Sequence, residues 1–205
     1  MTPLSVEITR PLNIGNENTV SLISKYSKVF GMNMQLPVNN ARCAFYLDYP
    51  QVDLDIYARA AYDEAFISSL SQALRPLLEG KDEVTQVNLL LNFLQYDFDY
   101  KTDDEQFGYE KPFFLEENFI YPCNDCEDRS ILFSNLVRCL LGLDVVLVDY
   151  PDHVATAVRF HSETEGDCLM YDGYRYTICD PTYIGAPVGM AMEDYRGVEF
   201  NVLPL

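Results

Sequence analysis

The chain contains no tryptophan, only two histidines, and 14 lysines and arginines against 32 aspartates and glutamates. The formal net charge of −18 repels phosphate backbones, so nucleic acid is not an expected partner. The same surface suits a peptide or protein substrate of basic character, for example one carrying lysine side chains. No apolar run approaches the ~18–20 residues that a membrane span requires, and a soluble chain is expected. Met1-Thr2-Pro3-Leu4-Ser5 has neither the basic n-region nor the apolar h-region of a signal peptide. A leader trimmed from a secreted or periplasmic protein would leave no trace here, so the compartment stays open. Six cysteines are too few and too scattered for a small disulfide scaffold. Cys123-x-x-Cys126 has the spacing of a redox pair or half a zinc site, but no second Cys-x-x-Cys or histidine pair follows. Neither a metal nor a cofactor is therefore expected.

What remains is 205 residues, 48% of them hydrophobic, enough for one domain with a real core. Residues 1–80 read as a partly helical N-terminal region and 81–205 as the core that carries the chemistry. Within the first part, residues 20–30 read as a short amphipathic helix, because Leu22, Ile23, Tyr26, Val29 and Phe30 share a face. Residues 44–54 read as extended structure around Tyr49-Pro50. A helix over 65–78 aligns Phe66, Leu70, Leu74 and Leu77, with Pro76 as a kink or early stop and Gly80 just beyond. A second helix over 82–96 carries Val84, Val87, Leu90, Leu91, Phe93 and Leu94. The acidic, aromatic stretch 97–122 is either a lid beside the site or a cover packed on the core.

The chemistry-bearing residues begin at Asn124-Asp125-Cys126-Glu127-Asp128-Arg129-Ser130. Asn124 reads as an N-cap with Glu127 three residues on. Leu132, Leu136 and Leu140 form one stripe and Phe133, Val137 and Leu141 its neighbour, so the helix is expected to be heavily buried and to stop at Gly142. Cys126 falls in its first turn, where free N–H groups and the helix dipole favour a thiolate and can hold an oxyanion. Asp125, Glu127 and Asp128 act in the opposite direction, and an adjacent imidazolium is needed to outweigh them.

A strand is expected over 145–150, broken by Pro151-Asp152. A second over 153–160 sets His153, Ala155 and Ala157 on one face, the small alanines leaving room for the cysteine helix. A third over 174–180 ends at Asp180-Pro181. Two pairings stay open. Direct antiparallel pairing sets His153 opposite Asp180. A hairpin at Tyr171-Asp172-Gly173-Tyr174 within a simple meander sends the two to opposite ends. In the first case Cys126 is the nucleophile, His153 the base and Asp180 the carboxylate that orients it. Cys43, Cys139, Cys168 and Cys179 read as core, and His161 as a solvated strand end.

With D-C-E-D-R at 125–129, D-H-V-A at 152–155 and Y-x-x-x-D-P-T at 176–182, the chain resembles the transglutaminase-like superfamily of papain-type thiol enzymes over roughly residues 85–190. The resemblance implies an α+β fold with a papain-like core, the cysteine at a helix N-terminus packed on an antiparallel sheet. It implies thiol-dependent hydrolysis of amide or peptide bonds through a thioester, as in bacterial proteases and amidases of this type. It also admits acyl transfer to amines, or a catalytically silent binding module that keeps the fold. Cross-linking members use a tryptophan to help hold the oxyanion, and this chain has none. A Tyr, Gln or Asn has to take that place, with Gln106, Asn118 and Asn124 as candidates.

Overall fold

The computed structural model describes residues 20–47 and 49–205; the reading of residues 1–5 lies outside that range. A hairpin of β1 (Val20–Ser27) and β2 (Met32–Asn39) leads into α1 (Asn40–Leu47), α2 (Leu54–Arg59), α3 (Glu64–Leu78) and α4 (Glu83–Asp97). The two-residue strands β3 (Asp99–Tyr100) and β4 (Cys123–Asn124) pair in parallel and bracket a segment containing α5 (Asp103–Gln106). Helix α6 (Cys126–Leu136) passes into a π-helical turn, Val137–Leu141. Strands β5 (Asp144–Tyr150), β6 (His153–Arg159), β7 (Cys168–Tyr171), β8 (Tyr174–Cys179) and β9 (Asn201–Pro204) complete the chain. The architecture is mixed α and β, with one antiparallel five-stranded sheet in the order β7-β8-β6-β5-β9.

Residues 20–27 form a strand, not the expected helix. Leu22 and Tyr26 share a face in either geometry, since a spacing of four is even in a strand and one turn in a helix. The partner decides: Gly31, at φ +63°, turns the chain back into β2, whose Met34, Leu36 and Val38 alternate into the core. Residues 44–47, the start of the stretch expected to be extended, belong instead to α1. The Asn39 side chain accepts from the Ala41 and Arg42 N–H groups, and Tyr46 stacks on Phe114 at 4.1 Å between centroids. Helix α3 starts at the cap Asp63 and runs through Pro76 to Leu78. The proline lies in the last turn, so only one intrahelical bond is lost there, and burial of Leu74 and Leu78 holds that turn. Leu78, not Leu77, completes the buried stripe.

The sheet has two differently covered faces. Leu147 and Val154 pack with Ile131 of α6, while Val145, Val158 and Cys179 share a core with Leu132, Leu136, Leu90, Phe66 and Leu36. That core contains residues from both β2 and α6. Val146, Val148, Ala155, Ala157, Tyr176 and Ile178 form the opposite face, covered by Ala191, Tyr195 and Val198. The alanines beside His153 therefore receive this loop rather than the cysteine helix. Among the described residues no helix is long and apolar enough to cross a membrane.

Candidate active site

Asp172 at φ +48° and Gly173 at φ +78° close the β7–β8 hairpin, as their dipeptide suggests. The chain then brings β8, not β7, against β6. The hairpin and the direct pairing thus coexist, because β7 is laid down outside β8. The register is two residues from the expected one: Thr156 faces Cys179 and Ala157 faces Ile178. Continued to the strand ends, this sets Asp180 across from Ala155, diagonal to His153 and on the same face. The diagonal still lets the side chains meet, with His153 Nε2 2.9 Å from Asp180 Oδ2 and both residues buried. Asp180 Oδ1 accepts from the Thr182 and Tyr183 N–H groups, which fixes the carboxylate, and its backbone carbonyl accepts from Gln95 Nε2 at 3.0 Å. Tyr195 lies over the imidazole at 4.7 Å between ring centroids. Its loop is anchored by the carboxylate of Asp167, which accepts from Ala191 N–H and the Arg196 guanidinium. Where the loop crosses β8, the backbones of Gly166 and Gly189 approach so closely that a Cβ on either would strike main-chain atoms.

Cys126 opens α6, as its position in the motif suggests, but the cap is Asp125, not Asn124. Asp125 has extended backbone, and its N–H donates to Asp128 Oδ2 at 3.4 Å. Asn124 is bound inward, accepting from Arg129 Nε at 2.9 Å and donating to Asn118 Oδ1 at 3.0 Å. Asn118 is likewise buried, and Gln106 Nε2 donates to the Cys123 carbonyl at 3.4 Å. None of these three amides lines the cleft that contains the cysteine. Tyr100 does, with Arg129 5.3 Å from its ring centroid on the buried side. A residue count had no means of choosing Tyr100 among fifteen tyrosines; the parallel pairing of β3 with β4 brings it there.

The cleft has a volume of about 420 Å³ and is lined by Cys126, Tyr100 and His153 among others. The thiol donates to Glu127 Oε2 at 3.3 Å and receives the Val154 N–H. No hydrogen bond joins sulfur and imidazole among the described residues. Burial first, then Glu127 and Asp125, push the thiol well above its usual range, against the Val154 N–H. The contest between helix dipole and acidic neighbours is thus won by burial and the carboxylates, and the resting group is a thiol. Burial, then Glu127, pushes Asp125 up to about 8, and burial, reinforced by Asp125, pushes Asp103 up to about 6. Glu127 is raised too, by burial. Tyr100 is raised by burial and then by Cys126, so its hydroxyl keeps its proton and remains a donor. Asp103, Asp125 and Glu127 each offer an oxygen within 4.8 Å of the others, a set of acceptors able to hold a cation.

Comparison with protein-family models, curated proteins and solved structures gave no match. The remaining cysteines divide by burial: Cys179 is buried, Cys43, Cys123 and Cys139 are half-buried, and Cys168, expected in the core, is exposed on the edge strand β7. A β7 residue has only one neighbouring strand, and its apolar flanks do not guarantee cover. His161 is solvent-exposed and bonded to Glu83 through Nδ1 at 2.6 Å.

Proposed function

We propose that the chain is a thiol-dependent hydrolase of amide or peptide bonds, built on a papain-like core of transglutaminase-like type. The observation that carries this reading is the 2.9 Å contact of Asp180 with His153, which lines the same cleft as Cys126. With Nε2 turned to Asp180, Nδ1 is the nitrogen left to take a proton. Rotation of the sulfur from Glu127 toward the imidazole starts the reaction. Sγ attacks the carbonyl carbon as its proton passes to His153, and the developing oxyanion is met by first-turn N–H groups of α6 and the Tyr100 hydroxyl. Collapse of that intermediate breaks the C–N bond, and His153 returns the proton to the leaving amine. Water, deprotonated by His153, then cleaves the thioester to give the acid and the free thiol.

The test is a peptide substrate with mass-spectrometric trapping of the acyl adduct on Cys126. Cys126→Ala and His153→Ala are expected to abolish adduct and turnover. Asp180→Asn is expected to lower turnover by roughly 10²–10⁴-fold while leaving KM nearly unchanged. Turnover that survives Cys126→Ala would refute the proposal. A second reading, a catalytically silent binding module, is favoured by the raised thiol and the missing sulfur–imidazole bond. It predicts no adduct at all, and iodoacetamide labelling of Cys126 no faster than that of a free peptide thiol.

A further inference from the structure

We propose that the cleft recognises a primary ammonium group, that of a lysine side chain in a peptide, held by Asp103, Asp125 and Glu127. This rests on reading the cleft as the substrate site. Seven of its sixteen lining residues are aspartate or glutamate and none is lysine or arginine, against 32 acidic residues in a chain of 205. Overall acidity alone does not produce that concentration. The three named carboxyls are buried on the floor, whereas Asp104, Glu110 and Asp152 are exposed at the rim, where they draw a cation inward.

The floor is also incompletely satisfied. Asp125 is only 5% exposed, and its Oδ1 receives no N–H or hydroxyl donor among the described residues. Its carboxyl meets that of Glu127, so the pair can share one proton at most and keeps open acceptor sites. A buried acceptor left unpaired is costly, and a donor from the ligand removes that cost. The shape selects the donor. Three oxygens within 4.8 Å of one another leave a central nitrogen about 2.8 Å or less from each, the length of a charged N–H···O bond. An ammonium has three N–H donors to offer such a triangle, whereas a guanidinium presents a flat fork suited to one carboxylate. Surrounded by carboxylates the nitrogen stays protonated, so it is recognised and not acylated. Its charge also offsets the negative field at the neighbouring sulfur.

The experiment is calorimetric titration of the full-length Cys126→Ser chain with Nα-acetyl-lysine methylamide and with its uncharged norleucine counterpart. Binding needs no turnover, so a failed hydrolase assay leaves this result readable. Intact hydrolysis without cation preference would sink only the present inference. The lysine probe is expected to bind about 10-fold tighter or better, with a preference that shrinks in roughly 1 M salt. Asp125→Asn is expected to remove most of the preference. Should that variant fail to fold, the exposed pair Asp104→Asn and Glu110→Gln is expected to weaken the lysine probe about 2–5-fold and leave the norleucine probe unchanged. Equal affinity for the two probes would overturn the proposal. So would loss of the preference on adding micromolar CaCl2 or MgCl2, which would make the triangle a metal site. Acylation of the probe's ammonium nitrogen by the wild-type chain would overturn it as well.

Discussion

Asp97, Glu116 and Glu117 are buried as deeply as Asp103, Asp125 and Glu127, but the two sets have different company. Asp97 accepts from the Ser27 hydroxyl and from the Lys28 and Val29 N–H groups, tying the β1–β2 turn to the end of α4. Glu116 takes the Asp63 N–H at 2.6 Å and faces Arg42, and Glu117 takes Lys111 Nζ at 2.6 Å and Phe114 N–H at 3.0 Å. In the second set Asp103 accepts from the Lys111 N–H, Asp125 from the Asp103 N–H at 3.3 Å, and Glu127 from the thiol. No lysine or arginine forms an ion pair with that set among the described residues. Depth is therefore not what separates a structural carboxylate from one available to a ligand. What separates them is how much the fold supplies: each carboxylate of the first set has two or more donors or a cation, each of the second a single N–H or thiol.

The largest expected effect lies in the first set. Lys111→Met leaves Glu117 buried without its cation and should cost about 3–5 kcal/mol, read as a lowered urea midpoint. Glu117→Gln added to it should recover part of the loss, since a neutral amide is cheaper to bury than a lone carboxylate. Wild-type stability in Lys111→Met would erase the contrast between the sets. Asp97→Ala comes next: it strands two backbone N–H groups and a hydroxyl, for about 2–4 kcal/mol. Amide exchange over residues 27–29 should accelerate with it, and unchanged exchange there would show that water replaces the carboxylate.

Much of the site was legible because it is encoded locally. The burial of α6 and its stop at Gly142 follow from the leucine stripes and one glycine, and Cys126 falls in its first turn as expected. The Asp172-Gly173 turn follows from its dipeptide. The β6–β8 register was not legible, because it depends on how far the 160–167 connection and the hairpin carry the chain, and that length has no residue-type signature. The strand at 20–27 was misread because four-residue spacing serves both geometries until β2 is seen beside it. Nor could pattern show that Asn118 and Asn124 spend their amides on each other and on Arg129, while Tyr100 and Tyr195 reach the cysteine and the histidine. These are tertiary contacts, and the sequence names only the participants. The capping residue was missed by one position because Asn124 and Asp125 are both good caps; pairing with β3 recruits Asn124 into β4 and leaves Asp125 for the helix.

The smallest effect bears most directly on the second set. Burial and then Glu127 push Asp125 up to about 8 in the folded chain, against an ordinary value near 3.8. Its folded value is raised, so between those limits the folded state binds the proton that the unfolded chain has released. The contribution to stability is therefore complete below about pH 4 and is lost as pH climbs toward 8. Asp103, raised to about 6 by burial, slopes the same way over the lower part of that range. Asp125→Asn cannot ionise, so it should match wild type near pH 4 and exceed it near pH 8, with urea unfolding at both values as the measure. Because Glu127 shares the proton, the gain is about 1–2 kcal/mol rather than the roughly 6 kcal/mol of an isolated group. If the wild-type chain instead gains stability between pH 5 and pH 8 and the asparagine variant gains none, the carboxyl must already be paired as an anion. Asp125 would then belong with Asp97 and Glu117 as part of the scaffold, and the floor of the cleft would have no unmet demand for a cation.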